Sequence, residues 1–248
     1  MSELATPQRL SLVDQTIEAV LALIVDRGLK ADDFLPSTAE LAETLQVSRP
    51  VVREAIAELA GQGLLRRRQG RETLIALPSG AQFEKLLRLR SALREMDLDD
   101  LQEYREIIEV AAARLAALRS TAADVESLAE IHRAMVAAGR EDERHRVDQQ
   151  FHTEIARIAG NEMLRLTLEG ITPVMLDLRK RAWAGWAASG GGVEPVVAAH
   201  AQLLEAIRER DADAAGAAMV MHLAQARQGL AMSTVADRRP NRPAAAGG

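Results

Sequence analysis

The 248-residue sequence contains no cysteine, and only 2% of its residues are aromatic. The absence of cysteine excludes disulfide bonds, thiolate metal ligands and thiolate nucleophiles. No apolar run approaches the roughly 20 residues that a membrane span requires, and the first ten residues lack the apolar core of a signal peptide. We therefore expect a soluble cytoplasmic protein with no membrane partner.

The composition favours helices over sheet, because alanine, leucine, glutamate and arginine are abundant where aromatic residues are scarce. A chain of this length is long enough for two domains of roughly 100–200 residues. The formal net charge of −5 argues against a protein that coats nucleic acid by bulk positive charge. A local basic patch stays compatible with nucleic-acid binding.

The first part of the chain has the pattern of a small helical domain with a short hairpin. Apolar periodicity predicts a helix over 12–27, and Ser37 and Ser48 are placed to cap two further short helices. Apolar runs at 64–65 and 73–75 predict two short strands joined by a basic tip. Three helices followed by a two-stranded wing are typical of a winged helix-turn-helix over residues 1–77.

In such a domain, the second helix of the helix-turn-helix enters the DNA major groove with its N-terminal residues leading. Arg49 and Arg53 lie one turn apart on one face of that helix, and a planar guanidinium can contact guanine or phosphate at two points. Residues 47–71 carry six arginines against two glutamates. The predicted contacts to double-stranded DNA are Ser48, Arg49, Arg53, Arg67, Arg68, Gln69 and Arg71.

Beyond a linker at 78–83, the sequence is helical in pattern almost to its end, which predicts an all-α bundle over 84–231. A polar segment at 232–248 is expected to be a disordered tail. The predicted helices are 83–95, 98–119, 122–138, 141–159, 161–182, 194–209 and 212–231. The expected fold class is therefore mainly α, with an N-terminal winged helix-turn-helix and a C-terminal helical bundle.

Four residues of the bundle form a candidate metal site. Asp148 and His152 are spaced i, i+4 on one predicted helix, and His200 and His222 are equidistant from a predicted turn at Asp211. In an antiparallel hairpin, residues equidistant from the turn come level, so the two histidines can face each other. One carboxylate and three imidazoles suit a divalent ion. Zinc leads the candidates, and nickel, manganese and iron stay open.

The run LPSTAELAETLQVSRPVVREAIAELAGQGLLRRRQGRETLI at 35–75 resembles the N-terminal domain of GntR-type regulators, and the whole match covers about residues 10–77. The resemblance implies that Arg49 and Arg53 contact DNA. Two departures stand out: the family often has arginine where this chain has Ala39, and its wing commonly carries Gly-x-Gly where this chain has Gly70-Arg71-Glu72. The operator sequence can therefore differ, or binding can depend more on the arginine-rich wing.

Residues 84–230 resemble the FCD effector domain of the FadR-like branch of these regulators. The matching segments are YREIIE at 104–109, DQQFH at 148–152 and AGN at 159–161. The resemblance implies that Asp148, His152, His200 and His222 hold a metal ion. It also implies that Arg105 pairs with a carboxylate of the effector, although Arg105 can instead pair with Glu109 at i, i+4.

The resemblance implies a homodimeric transcription regulator, a repressor by the commoner arrangement, controlled by a small organic acid bound at the metal. Two alternatives stay open. The metal can be purely structural or itself the sensed species, since a structural ion is fully coordinated by protein. A metalloenzyme is the second, but the sequence offers no catalytic motif such as HExxH. We expect no enzymatic activity.

Overall fold

The computed structural model describes residues 10–68, 72–93 and 97–237. The chain divides between Gln82 and Phe83 into two units. The first contains α1 (Leu12–Asp26), α2 (Thr38–Thr44), α3 (Arg49–Gly61), β1 (Leu65–Arg67) and β2 (Thr73–Ile75), and α4 (Ala81–Ala92) begins at its end. The second contains α5 (Leu98–Arg119), α6 (Ala122–Ala137), α7 (Glu141–Ile158), α8 (Glu162–Ala188), α9 (Val193–Arg208) and α10 (Ala212–Asp237). The predicted fold class is confirmed.

The helices of the first unit begin where side chains satisfy their free backbone N–H groups. Ser11 and Ser37 each form a capping box with an acidic residue three positions later. Helix α3 follows Ser48, whose hydroxyl makes no capping hydrogen bond, and carries Pro50 in its first turn. Completely buried side chains from α1, α2 and α3, among them Val20 and Leu41, form one core.

The wing is an antiparallel pair in which Leu65 lies opposite Ile75 and Arg67 lies opposite Thr73. Leu65 and Ile75 are buried, whereas Arg67 is exposed. The hairpin therefore attaches to the core at its base and directs its basic end towards solvent. The wing tip, with the predicted contacts Gln69 and Arg71, lies outside the described residues.

The second unit is a helical bundle in which α10 packs against α5, α8 and α9, and α7 packs against α5, α6 and α8. The core between these helices contains Phe151, Leu178, Leu203 and Met219, all fully buried. Alanines of α5 line the same core, which lets neighbouring helices approach closely. None of the described helices combines the length and apolar composition that crossing a bilayer demands.

Several helix ends differ from the sequence prediction, and three of them extend an element beyond its predicted bounds by two residues or more. Helix α4 begins at Ala81, inside the predicted linker at 78–83. Helix α8 continues to Ala188, because the indole Nε1 of Trp186 donates to the carbonyl of Gly192 and fixes its last turn. Helix α10 continues to Asp237, six residues into the predicted tail, since Leu230 is buried and gives its last turns a packing surface.

Candidate metal centre and nucleic-acid interface

An open groove in the first unit collects the basic residues that the sequence singles out. Arg49 and Arg53 on α3 and Arg67 on β1 line it together with the first residues of α2. The two arginines of α3 are exposed, and among the described residues neither forms an ion pair. Within the described part of the chain, no ion pair involves Arg67 either, so the groove presents three guanidinium groups beside one acidic residue, Glu72. Such a surplus of positive charge suits a negatively charged backbone.

Three further residues in or near this groove bear on the sequence prediction. Ala39 lies exposed in the α2 wall of the groove, so that wall supplies no positive charge at this position. The hydroxyl of Ser48 is not used to cap α3, which leaves it free to bond an external acceptor. Arg68 is exposed at the end of β1, where its backbone N–H donates to the carbonyl of Glu72.

In the second unit, the structure brings together the four residues of the predicted metal site. Asp148 and His152 come from α7, His200 from α9 and His222 from α10, and one candidate ligand atom of each lies within 4.8 Å of the others. Nε2 of His152 is 3.1 Å from Nε2 of His222. Oδ1 of Asp148 is 3.1 Å from Nε2 of His200 and 3.6 Å from Nε2 of His152.

The local folding of α9 and α10 accounts for the meeting of His200 and His222. The two helices form an antiparallel hairpin whose turn places Arg210 in the left-handed region, at φ 60°. Asp211 then caps α10 by accepting hydrogen bonds from the backbone N–H groups of Asp213 and Ala214. The two imidazoles consequently come level, with ring centroids 4.3 Å apart.

Neighbouring groups orient three of the four side chains. Nδ1 of His200 donates to the carbonyl of Val196 over 2.8 Å, because a carbonyl can only accept, and this leaves the lone pair of Nε2 towards the cluster. Arg179 on α8 donates to Oδ2 of Asp148 over 2.5 Å, which leaves Oδ1 towards the histidines.

His152 is oriented by Glu109, whose Oε2 lies 2.5 Å from Nδ1 of the ring. An ionised carboxylate at this distance favours the proton on Nδ1 and leaves the lone pair on Nε2. Burial raises the pKa of Glu109, but Arg105 and His152 outweigh it and hold that pKa well below its usual range. The lone pairs of His152 Nε2 and His200 Nε2 and the Oδ1 atom of Asp148 therefore face the same small space.

The protonation states of the cluster suit a cation. Burial opposes ionisation of Asp148, but the charge of Arg179 outweighs it and holds the pKa of Asp148 well below its usual range. Burial holds the pKa of His222 well below its usual range. An ionised carboxylate and a neutral imidazole are the forms in which these side chains bind metals.

The residues fit a divalent ion on two counts. Bonds of about 2.0–2.2 Å from nitrogen or oxygen to zinc keep any two ligand atoms within about 4.3 Å of each other. Three of the separations fall within this limit, and all four atoms lie within 4.8 Å of one another. The buried Nε2 of His200 has no hydrogen-bond partner among the described residues. A cation supplies the partner that this atom otherwise lacks.

Arg105 makes the contact that the sequence offers as an alternative to effector binding. Its Nε donates to Oε1 of Glu109 over 2.5 Å, and both side chains are almost fully buried. Its Nη2 lies 3.5 Å from Nε2 of His152. Because guanidinium has five N–H donors, pairing with Glu109 leaves others for a ligand.

Sequence reasoning missed Arg179 and the contact between Glu109 and His152. The i, i+4 spacing of Arg105 and Glu109 signals only their own pairing, whereas the contact with His152 joins α5 to α7. Arg179 lies in a long helix with further basic residues nearby, so nothing in the local sequence distinguishes it. Only the packing of α8 on α7 brings it to Asp148.

The cluster opens onto a cavity of about 80 Å³ that is partly open to solvent. Asp148 and His222 form part of its wall, together with Arg105 and Arg179. The remainder of the wall includes Met135, Arg144, His145, Ala182, Trp183, Trp186, Val193, Val196, Val197, Gln225 and Ala226. A ligand in this cavity would have direct access to a metal ion held by the cluster.

Comparisons with known proteins match both units. Residues 12–75 match the family described as "Bacterial regulatory proteins, gntR family", and residues 100–225 match the FCD domain. The HTH-type transcriptional regulator LutR of Bacillus subtilis is 29% identical over 203 residues, which cover 81% of this chain and 93% of LutR. The Glc operon transcriptional activator of Escherichia coli K12 is 30% identical over 176 residues, which cover 68% of this chain and 69% of that protein.

A solved structure agrees with these matches. The structure of a Streptococcus agalactiae GntR protein superposes with a TM-score of 0.72 at 30% identity. The superposition covers 88% of this chain and 99% of that chain. The similarity therefore extends over both units of the chain.

Proposed function

Because the chain belongs to the gntR family of bacterial regulatory proteins and carries an FCD domain, we propose that it is a DNA-binding transcription regulator controlled by a small organic acid at a metal site in that domain. The observation that carries the proposal is the presence of two specialised sites in one chain. One is a groove lined by three arginines, and the other is a buried donor set that opens onto a cavity.

The groove supports DNA recognition by the first residues of α3. Arg49 and Arg53 lie one turn apart at its exposed N-terminal end, where a recognition helix contacts base edges. Arg67 projects from the wing and is suited to a phosphate contact. We propose that Ser48, Arg68, Gln69 and Arg71 add further contacts to the same DNA.

Replacing Arg49 and Arg53 together with alanine is expected to weaken binding to the DNA that the wild type selects from a random pool by about 100-fold or more. Each lost bidentate base contact costs about 1–3 kcal/mol. Fluorescence anisotropy at fixed salt measures the loss. Replacing Arg27 and Lys30 together with alanine removes two exposed positive charges of the same unit outside the groove and serves as the matched control. Equal losses in both variants would show that bulk charge, and not the groove, determines binding.

We propose that Asp148, His152, His200 and His222 hold a divalent ion, with zinc as the first candidate. When bound, the ion supplies a Lewis-acidic position that attracts an anionic oxygen. The charges of Arg105 and Glu109 offset each other, as do those of Arg179 and Asp148. An ion with three neutral imidazoles therefore gives the pocket a net positive charge, which supports a carboxylate as the effector.

We propose that the acid lowers the affinity of the protein for its operator, which is the behaviour of a repressor, and that the protein acts as a homodimer on two half-sites. With the metal-loaded protein, a saturating effector is expected to weaken operator binding by about 5- to 150-fold, the usual range of allosteric coupling. The measurement is a titration of the operator complex with a panel of organic acids.

The matched control is the same titration after removal of the metal with a chelator. A response that needs the metal supports an effector bound at the ion. An equal response without the metal would leave the ion a structural role only, which is the main alternative. A gain in operator affinity would instead indicate an activator, as the name of the Escherichia coli relative describes for that protein.

A further inference from the structure

The cavity beside the metal cluster has two chemically different ends. At one end, Asp148, His222, Arg105 and Arg179 provide charged and polar groups. At the other end the wall is formed mainly by apolar side chains of α8 and α9, namely Trp183, Trp186, Val193, Val196 and Val197, and α7 adds Arg144 and His145 to the lining. A ligand that fills the cavity must therefore combine a charged group with an apolar body.

The apolar end extends too far from the cluster for a small acid bound at the cluster to reach it. Along α8, Trp186 follows Arg179 by seven residues, and along α9, Val193 precedes His200 by seven. With a rise of 1.5 Å per residue, the apolar wall extends about 10 Å from the cluster on both helices. A three-carbon acid contains only two C–C bonds of about 1.5 Å each and occupies the polar end alone.

The two tryptophans are held in place as walls and are not buried as core. Both are half-exposed although they face the cavity. The Trp186 indole donates to the carbonyl of Gly192, and a Cβ on Gly191 would lie 2.3 Å from its ring, so the connection to α9 packs directly on it. Trp183 meets the ring of His145 edge-on, with centroids 6.4 Å apart. Preformed apolar walls favour a rigid apolar group between them.

Gln225 offers a polar group to the cavity a short distance from the cluster, before the apolar end. It lies one turn beyond His222 on α10 and lines the cavity next to Ala226. Its Oε1 is buried and has no hydrogen-bond partner among the described residues. A buried acceptor without a partner is unfavourable, so a ligand hydroxyl or N–H at this position would satisfy it.

From these observations we propose that the effector is a carboxylic acid with a bulky apolar substituent, of the size of a phenyl group, that lies between Trp183, Trp186 and the valines of α9. The carboxylate faces the cluster, and a hydroxyl or N–H group next to it reaches Gln225. This inference rests on the proposed function, because it assumes that the effector binds in the cavity of the metal-loaded protein.

The test compares two acids with the same 2-hydroxy acid group, lactate and 3-phenyllactate, by isothermal titration calorimetry on the zinc-loaded full chain. Burial of the phenyl group is expected to make phenyllactate bind about tenfold tighter or more. Trp183→Ala should remove most of this preference and leave lactate affinity unchanged. Val193→Phe fills the apolar end without deleting a wall and should also remove the preference.

The outcomes separate this inference from the proposed function. If lactate binds as tightly as phenyllactate to the wild type, or if both variants keep the wild-type preference, the apolar substituent is wrong and an acid effector stands. If neither acid binds the zinc-loaded protein, this inference is overturned together with the acid effector of the proposed function. DNA binding by the groove is independent of either result.

Discussion

The chain with His200 replaced by alanine is expected to be purified without metal, whereas the wild type retains about one divalent ion per chain. His200 is completely buried, and the hydrogen bond of its Nδ1 to Val196 directs its Nε2 to the cluster. Removing a side chain that only orients a metal ligand already costs about 10- to 100-fold in metal affinity, and removing the ligand itself should cost more. Plasma mass spectrometry on the purified proteins measures the ion content.

The matched control is His132→Ala, which removes an imidazole from the same domain but outside the cluster. The ring of His132 donates to the carbonyl of Val197, so this variant also loses one hydrogen bond. His132→Ala should retain the ion. Because bound metal stabilises the folded state by mass action, a chelator should lower the melting temperature of the wild type and of His132→Ala, but not that of His200→Ala.

A wild type that takes up no ion after incubation with zinc, nickel, manganese or iron would contradict the metal site. The same result would remove the metal-bridged effector from the proposed function. It would leave Arg105, Arg144 and Arg179 as the arginines of the cavity that can attract an acid. The groove proposed to bind DNA would not be affected, since its residues belong to the other unit.

The residues of the candidate metal site could be selected from the sequence because two simple regularities place them. The i, i+4 spacing of Asp148 and His152 puts both on one face of a helix, and the symmetric positions of His200 and His222 about Asp211 bring them level in a hairpin. Helix starts were predictable for a similar reason. Ser37 and Thr121 accept hydrogen bonds from backbone N–H groups of the first turn, a purely local interaction.

The supporting contacts of the site could not be predicted, because they join helices that are distant in sequence. Arg179 reaches Asp148 from α8, and Glu109 reaches His152 from α5. No local pattern encodes either contact, since each depends on which faces of two helices pack together. The ends of α8 and α10 extend beyond the predicted bounds for a related reason, as side chains such as Trp186 and Leu230 gain packing partners only in the folded bundle.

Gly229→Ala is expected to destabilise the helical domain strongly, because α8 and α10 cross with almost no space between their backbones. A Cβ on Gly229 would lie 2.0 Å from the carbonyl oxygen of Ala182, and a Cβ on Gly185 would lie 1.9 Å from that of Gly229. Backbone atoms cannot move aside as a flexible side chain can, so the helices must separate. Overpacking typically costs about 1–3 kcal/mol and occasionally more, and we expect the upper end of this range.

Thermal unfolding followed by circular dichroism measures this effect, and a loss of about 3 kcal/mol corresponds to a fall of roughly 6–12 °C in the melting temperature. Gly216→Ala is the matched control on the same helix. A Cβ there would meet only the side chain of Arg114, at 3.0 Å, and that side chain is half-exposed and can move. The control should be neutral or slightly stabilised, since alanine favours a helix interior over glycine by up to about 1 kcal/mol.

The glycine crossing also connects stability with ligand choice. A Cβ on Gly229 would lie 3.2 Å from Cβ of Trp186, which forms part of the apolar end of the cavity. Separation of α8 from α10 should therefore displace this wall of the cavity. His200 lies on α9 and His222 lies two turns before Gly229 on α10, so both should keep their positions in the α9–α10 hairpin. At temperatures where Gly229→Ala is folded, it should retain its metal ion but bind phenyllactate with less preference over lactate. Unchanged stability in Gly229→Ala would show that the two helices can separate there without cost.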